Sequence, residues 1–356
     1  MINSPKKPIK VAVVGYKLAD GGLERVFGNT TKMLNHAGIE VHTLVLENKI
    51  EYEFGGELVS FGNYSKGIKY FKLRNYLQKH QFDYVIDFRH RINPKMEWLF
   101  LNFIYKNFKK VYTVHSSKLS TYLTENQFIT NKILQKTNKI VAVSNFIKQE
   151  IESKFSNNSV EVIYNAIDMN SFVASETLPF DYIISVGRLV QLKQFDQLIE
   201  SYSKSVLPEK NIHLVILGTG EEQVSLENKI TNLNLNDKVH LLGFKENVWD
   251  YISNAKFLVL SSKYEGFPMA ILEALHLGIP VVSFDCESGP SEMIINNHNG
   301  ILVGNQNFTE LTHKMNIFVE DEILYQNCKN NASSSVLKFQ SNVIVKQWLQ
   351  LLNNGN

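Results

Sequence analysis

One stretch in the second half of the sequence limits the possible folds more than any other. An apolar run at residues 256–260 predicts a buried strand, and a polar loop follows at residues 261–266. Residues 269–277 predict a helix, which Pro280 prevents from continuing, and the next apolar run starts at Val281. This order of strand, helix and strand predicts a parallel sheet of the α/β class. Such sheets bind ligands at the carboxyl ends of their strands, which is where this loop lies.

This stretch carries two carboxylates in different surroundings. Glu265 precedes the helix, whereas Glu273 lies within it, about two turns further on. The free N–H groups at the start of a helix attract phosphate, so carboxylates nearby would serve another partner, such as the hydroxyls of a sugar. The alternative is that Glu265 is a surface loop residue and Glu273 an ordinary helix residue. The stretch alone supports both interpretations equally.

The N-terminal half of the chain repeats the alternation of strands and helices. Strands are predicted at residues 9–14, 41–46, 84–88, 111–114, 140–143 and 160–163, and helices at residues 23–37 and 146–154. Gly21 and Gly22 lie between the first strand and the first helix, where they would let phosphates approach the backbone. Two glycines alone would favour a flexible turn between strand and helix.

Charged and polar residues follow two further strands of this half. His115 stands directly after the strand at residues 111–114, at the edge where ligands bind, although a lone histidine is more often structural. Arg89, His90 and Arg91 follow the strand at residues 84–88 and could meet an anionic acceptor. Solvation at the surface is the interpretation that the sequence favours for these three residues.

A second unit begins after the polar segment at residues 170–179. Its first strand, residues 182–186, is followed by Arg188 and Lys193 and then by a predicted helix at residues 195–204. A guanidinium and an ammonium after a strand suit a diphosphate, although two solvated loop cations are also common. Gly218-Thr219-Gly220 follows the strand at residues 213–217 but does not match the dinucleotide fingerprint, because Gln223 takes the third glycine position. We interpret it as a turn with close backbone approach.

Composition excludes several classes of function. A chain of 356 residues is long enough for two domains, and a net charge of +2 does not indicate nucleic-acid binding. Cys286 and Cys328 are the two cysteines and form no C-x-x-C pair, so no zinc site or disulfide framework is predicted. The sequence has no Asp-x-Asp pair of the kind that holds a divalent cation, and we predict no metal and no cofactor. Its apolar runs are too short for a membrane span, which predicts a cytoplasmic location.

One basic segment, residues 64–80, points to a surface contact. Its cations are Lys66, Lys69, Lys72, Arg74 and Lys79, and its larger apolar groups include Ile68, Tyr70, Phe71, Tyr76 and Leu77. No acidic residue offsets the charge, and such a segment can lie on an anionic bilayer at about 1 kcal/mol per basic residue. The alternative, a domain helix with a solvated basic face, is equally supported. We predict a peripheral position on the cytoplasmic face of the inner membrane as the hypothesis to test.

Several of these patterns together resemble one enzyme family. Glu265 and Glu273, with seven residues between them and Gly-Phe-Pro after the first, resemble the paired-glutamate motif of the retaining family-4 glycosyltransferases with the GT-B fold (glycosyl transferases group 1). The Gly-Arg-Leu…Lys pattern that contains Arg188 and Lys193 is similar to the diphosphate loop of that family. The Gly21-Gly22 loop and Thr113-Val114-His115 also match it in order along the chain. The sequence Ser-Gly-Pro-Ser-Glu at residues 288–292 is similar to members that use UDP-hexoses or UDP-N-acetylhexosamines in bacterial surface polysaccharide assembly.

The resemblance implies an architecture. Two Rossmann-like domains would face a central cleft, with an acceptor-binding domain at residues 1–172 and a nucleotide-sugar-binding domain at residues 173–340. Helices are predicted near the C-terminus at residues 308–318 and 341–352. The resemblance implies that a last segment, residues 341–356, crosses back to the first domain. Without it, the simpler expectation is that this helix completes the second domain.

The resemblance also implies a reaction. A hexose or N-acetylhexosamine would move with retention, and without a metal, from a UDP-linked donor to a lipid-linked oligosaccharide or polysaccharide acceptor. The implied catalytic residues are His115, Arg188, Lys193 and Glu265. The implied substrate-binding residues are Gly21, Gly22, Arg188, Lys193, Phe244, Val248, Glu265, Gly266, Phe267, Pro268, Met269 and Glu273. Within this set His115 and Glu265 would contact the sugar, Glu273 the ribose, and the backbone near Phe244 and Val248 the base.

Other functions remain open on the sequence. The same kind of scaffold can carry a nucleotide-sugar epimerase or a sugar phosphorylase, and release of UDP only when an acceptor is present would separate a transferase from these. A non-catalytic sugar-nucleotide-binding module is a third hypothesis. The intact set of Arg188, Lys193, Glu265 and Glu273 argues against it, because a degenerate copy would be expected to lose a charge.

Overall fold

The chain folds into two compact units. The computed structural model describes residues 8–155, 160–168 and 174–354. The N-terminal unit takes in the chain up to Ala166 together with the segment from Phe339 onward, and the C-terminal unit spans Ile167–Lys338. The domain boundary predicted after residue 172 lies outside the described residues, and the contacts divide the chain six residues earlier, after Ala166.

The N-terminal unit is built on a parallel sheet. Within the described residues its seven strands are β1 (Lys10–Gly15), β2 (Glu40–Val45), β3 (Glu57–Ser60), β4 (Tyr84–Asp87), β5 (Lys109–Val114), β6 (Lys139–Ala142) and β7 (Val160–Val162). They lie in the order β3-β2-β1-β4-β5-β6-β7, and every pair is parallel. Strand β3 is absent from the sequence prediction because it is a short edge strand whose side chains are only half-buried. The order of the strands reverses between β1 and β4, which is where such sheets bind ligands.

Helices cover both faces of this sheet. In chain order they are α1 (Gly22–His36), α2 (Lys66–His80), α3 (Pro94–Leu99), α4 (Ser120–Leu123), α5 (Gln127–Lys136) and α6 (Asn145–Phe155), with a π-helical turn at Phe100–Ile104. Helix α3 begins where the sequence favours it, because the Asn93 side chain accepts hydrogen bonds from the N–H groups of Lys95 and Met96 and Pro94 occupies the first turn.

The C-terminal unit repeats the plan. Within the described residues its sheet has six strands, β8 (Tyr182–Val186), β9 (His213–Leu217), β10 (Val239–Leu241), β11 (Leu258–Leu260), β12 (Val281–Asp285) and β13 (Gly300–Gly304). They lie in the order β10-β9-β8-β11-β12-β13 and are all parallel. The order reverses between β8 and β11. The two doubly wound sheets confirm the predicted α/β class with two Rossmann-like units.

The helices of the C-terminal unit pack on an apolar core formed by its strands. They are α7 (Phe195–Ser203), α8 (Gln223–Asn232), α9 (Val248–Ser253), α10 (Met269–His276), α11 (Pro290–Met293), α12 (Phe308–Glu320) and α13 (Glu322–Ser335). The last helix, α14 (Ser341–Asn353), belongs to the N-terminal unit and packs against α1 with Ile344, Trp348, Leu351 and Leu352 buried. Across the described ranges, no helix is both long and apolar enough to cross a lipid bilayer.

Candidate functional site

The loops after β8 and β11 meet in the C-terminal unit and join two of the predicted residues. Lys193 Nζ lies 2.5 Å from Glu265 Oε1, and their side chains are 19% and 13% exposed. Two further bonds tie the loops: Ser261 Oγ donates to the Lys193 carbonyl at 2.8 Å, and the Lys263 N–H donates to the Leu192 carbonyl at 2.9 Å. The ammonium and the carboxylate therefore satisfy each other, and an anionic ligand would compete with Glu265 for Lys193.

Arg188 lies in the same loop as Lys193 but differs from it in exposure and in having no ion-pair partner among the described residues. Its side chain is exposed and forms no hydrogen bond or ion pair with any described residue. The loop is held close to the Gly218–Gly220 turn, because a Cβ at Gly218 would lie 1.9 Å from the Gly187 carbonyl oxygen. Gly218 also has a φ of +140°, which side-chain-bearing residues rarely adopt. The glycines of this turn thus serve close backbone approach, and Arg188 is left free to meet a ligand.

The start of helix α10 forms the third side of this region. Gly266, Phe267 and Pro268 are buried, Met269 is the first helical residue, and no described side chain caps the helix. The loop after β12 is hydrogen-bonded to residues 266–268, since Ser288 Oγ donates to the Gly266 carbonyl at 2.6 Å. The start of α10 is thereby held close to Glu265, and its predicted contact with a phosphate stays a prediction.

The other predicted residues of the C-terminal unit differ in exposure. Glu273 is only 5% exposed within α10, and Val248 is 6% exposed at the start of α9, whereas Phe244 is 49% exposed. Their predicted contacts with ribose and base stay predictions. Sequence reasoning assigned no role to Cys286. Burial raises the pKa of its thiol to about 12, and the charge of Glu265 acts in the same direction. Cys286 is therefore a buried, uncharged thiol close enough to Glu265 to feel its charge.

In the N-terminal unit, the loop after β1 is occupied by charged side chains. Gly21 is the N-cap of α1, and a Cβ there would lie 2.4 Å from Glu24 Oε2. Asp20 accepts from Lys17 Nζ at 2.6 Å and is also ion-paired with Lys49. The carboxylate of Glu24 therefore lies against Gly21, while Gly22 faces open space. The predicted contact between these glycines and phosphate stays a prediction.

His115 is placed as predicted, at the carboxyl end of β5. Neither ring nitrogen has a hydrogen-bond partner among the described residues, although both are buried. The rings of Phe88 and Tyr122 lie 5.0 Å and 6.0 Å away between centroids. Burial lowers the pKa of His115 to about 3, and the nearby charges of Arg91 and His90 act in the same direction. The imidazole is therefore neutral at physiological pH and can donate one hydrogen bond and accept another.

The prediction that Arg89 and Arg91 are solvated is wrong. Arg89 is 1% exposed, lies 2.7 Å from Asp87 Oδ2 and 3.3 Å from Glu97 Oε1, and packs on the ring of Phe100. Arg91 is fully buried and donates to backbone carbonyls. Sequence reasoning missed these roles because the partner Glu97 lies eight residues further on, in α3, and nothing local marks it as buried.

The basic segment forms helix α2. Its Leu73 and Leu77 are buried, whereas Tyr64 is 43% exposed and Ile68 and Phe71 are each 52% exposed. The cations divide into two groups. Lys69 Nζ donates to the Leu46 carbonyl, and Arg74 Nε donates to the Phe103 carbonyl at 3.1 Å, so these two stabilise the fold. The others, Lys66, Lys72 and Lys79, are exposed.

Comparisons with family models match both halves of the chain. The model described as Glycosyltransferase Family 4 matches residues 20–171, and the model described as Glycosyl transferases group 1 matches residues 170–335. Among curated proteins, the N-acetylgalactosamine-N,N'-diacetylbacillosaminyl-diphospho-undecaprenol 4-alpha-N-acetylgalactosaminyltransferase of Campylobacter jejuni is 28% identical over 370 residues, covering 96% of this chain and 99% of the relative. The poly(ribitol-phosphate) alpha-N-acetylglucosaminyltransferase of Staphylococcus aureus is 26% identical and covers 73% of this chain and 53% of the relative.

Solved structures share the fold. A variant of TarM from S. aureus, in complex with fondaparinux, alpha-GlcNAc-glycerol and UDP, superposes with a TM-score of 0.82 at 15% identity, covering 97% of this chain and 100% of that chain. HepE from Anabaena, in complex with UDP-glucose, gives a TM-score of 0.80 at 19% identity, with the same coverage of 97% and 100%. With both family models and the two parallel sheets in agreement, the chain belongs to the family-4 glycosyltransferases of the GT-B fold and is an enzyme of the glycosyltransferase class.

Proposed function

We propose that this glycosyltransferase moves a hexose or N-acetylhexosamine, with retention of configuration and without a metal, from a UDP-linked donor to a lipid-linked oligosaccharide or polysaccharide acceptor. The observation that carries the proposal is the Lys193–Glu265 ion pair, which joins the loops after β8 and β11. The exposed Arg188 lies in the same loop as Lys193. Two cations and one carboxylate at the edge of the sheet suit a ligand that joins a diphosphate to a sugar.

The charges at this edge fit the demands of the reaction. Breaking the bond between sugar and diphosphate leaves additional negative charge on the diphosphate. Lys193 would move from Glu265 to a phosphate oxygen, Arg188 would bind a second one, and the start of α10 would add its amide groups. These groups supply the positive charge of a metal-independent transfer. The released Glu265 would then accept from hydroxyls of the sugar.

Retention is proposed through attack on the front face of the sugar. In this scheme the acceptor oxygen forms the new glycosidic bond as the bond to the diphosphate breaks. The leaving diphosphate takes the proton of the acceptor hydroxyl, so no protein nucleophile is required. His115 would contact the sugar as a neutral imidazole and not as a general base.

The relatives support the donor and the acceptor. The C. jejuni relative is by its name an N-acetylgalactosaminyltransferase that acts on a diphospho-undecaprenol glycan, and the TarM and HepE structures contain UDP or UDP-glucose. These facts concern those proteins, and they favour a UDP-linked donor and a lipid-linked acceptor for this chain.

The first experiment tests the donor site. We expect UDP to bind in calorimetry, the Lys193→Ala variant to bind it about 10-fold to 100-fold more weakly, and UDP to be released from a UDP-sugar only when an acceptor is added. Loss of discrimination among sugars in Glu265→Ala would place that carboxylate on the sugar. Lys204→Ala is the matched control, because Lys204 also pairs with a glutamate, Glu200, at 2.8 Å but lies at the other end of α7. If no nucleotide binds, or if UDP is released without an acceptor, the transferase proposal is contradicted.

We further propose that α2 brings the enzyme to the membrane that carries the acceptor. Its exposed Ile68 and Phe71 could insert among lipid head groups, and its exposed lysines would meet anionic lipids. Apolar exposure continues beyond α2: Trp98 is 54% exposed, and Phe103, which stacks under the guanidinium of Arg74, is 40% exposed. The surface therefore combines charge with aromatic groups, which favours a bilayer over a purely ionic partner.

Sedimentation with vesicles tests this contact. With vesicles that contain anionic phospholipids, we expect Lys66→Glu combined with Lys72→Glu to reduce binding by about 10-fold or more, because each exposed cation contributes about 1 kcal/mol. The control is Lys210→Glu combined with Lys329→Glu, which makes the same charge change on exposed residues of the C-terminal unit. Equal binding by both double variants would contradict the proposal.

A further inference from the structure

Arg91 connects three segments of the N-terminal unit around His115. Among the described residues its guanidinium donates to four backbone carbonyls: Tyr122 at 2.8 Å, Asp87 at 3.2 Å, Arg89 at 3.0 Å and Thr113 at 2.6 Å. These carbonyls belong to the end of β4 and its following loop, to β5, and to α4. One fully buried side chain thus fixes the backbone two residues before His115 and the helix that presents Tyr122 to it.

Among the described residues, Arg91 forms no ion pair with a carboxylate. Asp87 and Glu97 are the acids nearby, and both form ion pairs with Arg89. Within the described chain, no carboxylate oxygen accepts a hydrogen bond from Arg91, which packs instead on the rings of Tyr112 and Tyr122, 4.5 Å and 5.4 Å from their centroids. A buried guanidinium without an acid partner opposes any second positive charge close to it.

Burial is the main cause of the low pKa of His115, and the charge of Arg91 acts in the same direction. The groups that face its ring are Phe88 and His90 from the β4 side, Tyr122 from α4, and Arg91 itself. None of these four residues is an acid, so none of them stabilises a protonated His115 ring by its negative charge. Both ring nitrogens are buried without a partner, which leaves one donor and one acceptor to be satisfied by a bound ligand.

We propose that Arg91 is the positioning residue of the site: its hydrogen bonds hold the backbone around His115 in place, and together with burial it keeps the imidazole uncharged, so that one nitrogen can accept from a hydroxyl of the ligand. An imidazolium has only donors and could not accept this bond. The proposal rests on the proposed function only in that the ligand hydroxyl belongs to the donor sugar. The state of His115 itself can be measured without any substrate.

The first measurement is an NMR titration of the ring nitrogens of His115, identified by their absence in His115→Asn. We expect no protonation of His115 in the wild type between pH 5 and 8. In Arg91→Gln, which removes the charge, we expect a midpoint shifted upward by at least one pH unit, and in Arg91→Lys a profile close to that of the wild type. Lys118→Gln is the matched control, because Lys118 is an exposed cation three residues after His115. A wild-type midpoint between pH 6 and 7, or one that Arg91→Gln does not change, would overturn the proposal.

The second measurement connects the charge to the reaction. In Arg91→Gln we expect kcat/KM to fall by about 10-fold, relative to its own value at pH 7, within one pH unit below the midpoint of its His115 titration, and Arg91→Lys to restore the wild-type profile at a lower rate. A profile that stays parallel to the wild type while His115 titrates would overturn the role in catalysis. If Arg91→Gln does not fold, the wild-type titration still decides the state of His115, and Arg91→Lys against Lys118→Gln decides the role in positioning. Absence of any sugar transfer would contradict the proposed function and leave the NMR result intact.

Discussion

The two sheets of this enzyme place cations at equivalent edges and use them differently. In both units the strand order reverses beside a central strand, and two cations follow one of the two strands at that point. In the N-terminal unit Arg89 and Arg91 are buried, whereas in the C-terminal unit Arg188 is exposed and Lys193 is 19% exposed. Topology therefore selects where a cation can act, and the neighbouring acids and carbonyls decide whether it supports the fold or meets a ligand.

The largest expected difference is in stability. Arg89→Met would leave Asp87 and Glu97 buried without their partner, and we expect the free energy of unfolding to fall by about 3–5 kcal/mol. Arg188→Met, the equivalent change in the other unit, should leave it unchanged within experimental error, because that side chain has no partner among the described residues. Urea denaturation of both variants measures the difference. Similar losses in the two variants would remove the distinction between the two edges.

The second difference is in ligand binding. We expect Arg188→Met to weaken UDP binding by about 10-fold, which is the usual cost of losing one charge-assisted hydrogen bond to phosphate. Calorimetry at a fixed salt concentration gives the comparison with Lys193→Ala, which should lose at least as much. An Arg188→Met variant with wild-type affinity would show that the exposed guanidinium does not reach the diphosphate.

The third prediction concerns the pH dependence of stability. Since the pKa of His115 lies below its ordinary value, the unfolded chain binds more protons than the folded enzyme as the pH falls below about 6.5. The free energy of unfolding should therefore decrease from pH 7 to pH 5, with about 1–2 kcal/mol of the loss due to His115. His115→Asn should reduce the slope. Denaturation at pH 7 and pH 5 tests this, and equal slopes in the two proteins would contradict it.

Strand and helix positions near the site could be predicted from the sequence because they depend on local signals. The apolar run before residue 261 and Pro280 define β11 and the end of α10 without reference to any distant residue. Edge strand β3 could not be predicted in the same way, since its side chains are half-buried and do not alternate clearly. Periodicity reports burial, and it fails where burial is partial.

Some residues of the candidate site could be predicted from the sequence and others could not. The family resemblance implied that Lys193 and Glu265 belong to one site, and the structure brings them together because parallel strands place their carboxyl ends at one edge. The burial of Arg89 could not be predicted, because it depends on Glu97 in a helix that packs back onto the strand end. Arginine is rarely buried unless it is paired, and its partner was visible only in three dimensions.

The position of α14 has a consequence for how the chain folds during synthesis. The helix follows the whole C-terminal unit in the chain, yet it covers α1 of the first unit through Ile344, Trp348 and Leu352. During synthesis the N-terminal unit would therefore leave the ribosome before α14 and keep the apolar face of α1 exposed until α14 is made. The C-terminal unit is contiguous in sequence and could complete its core earlier. Chaperone demand during translation should fall mainly on the half that is made first.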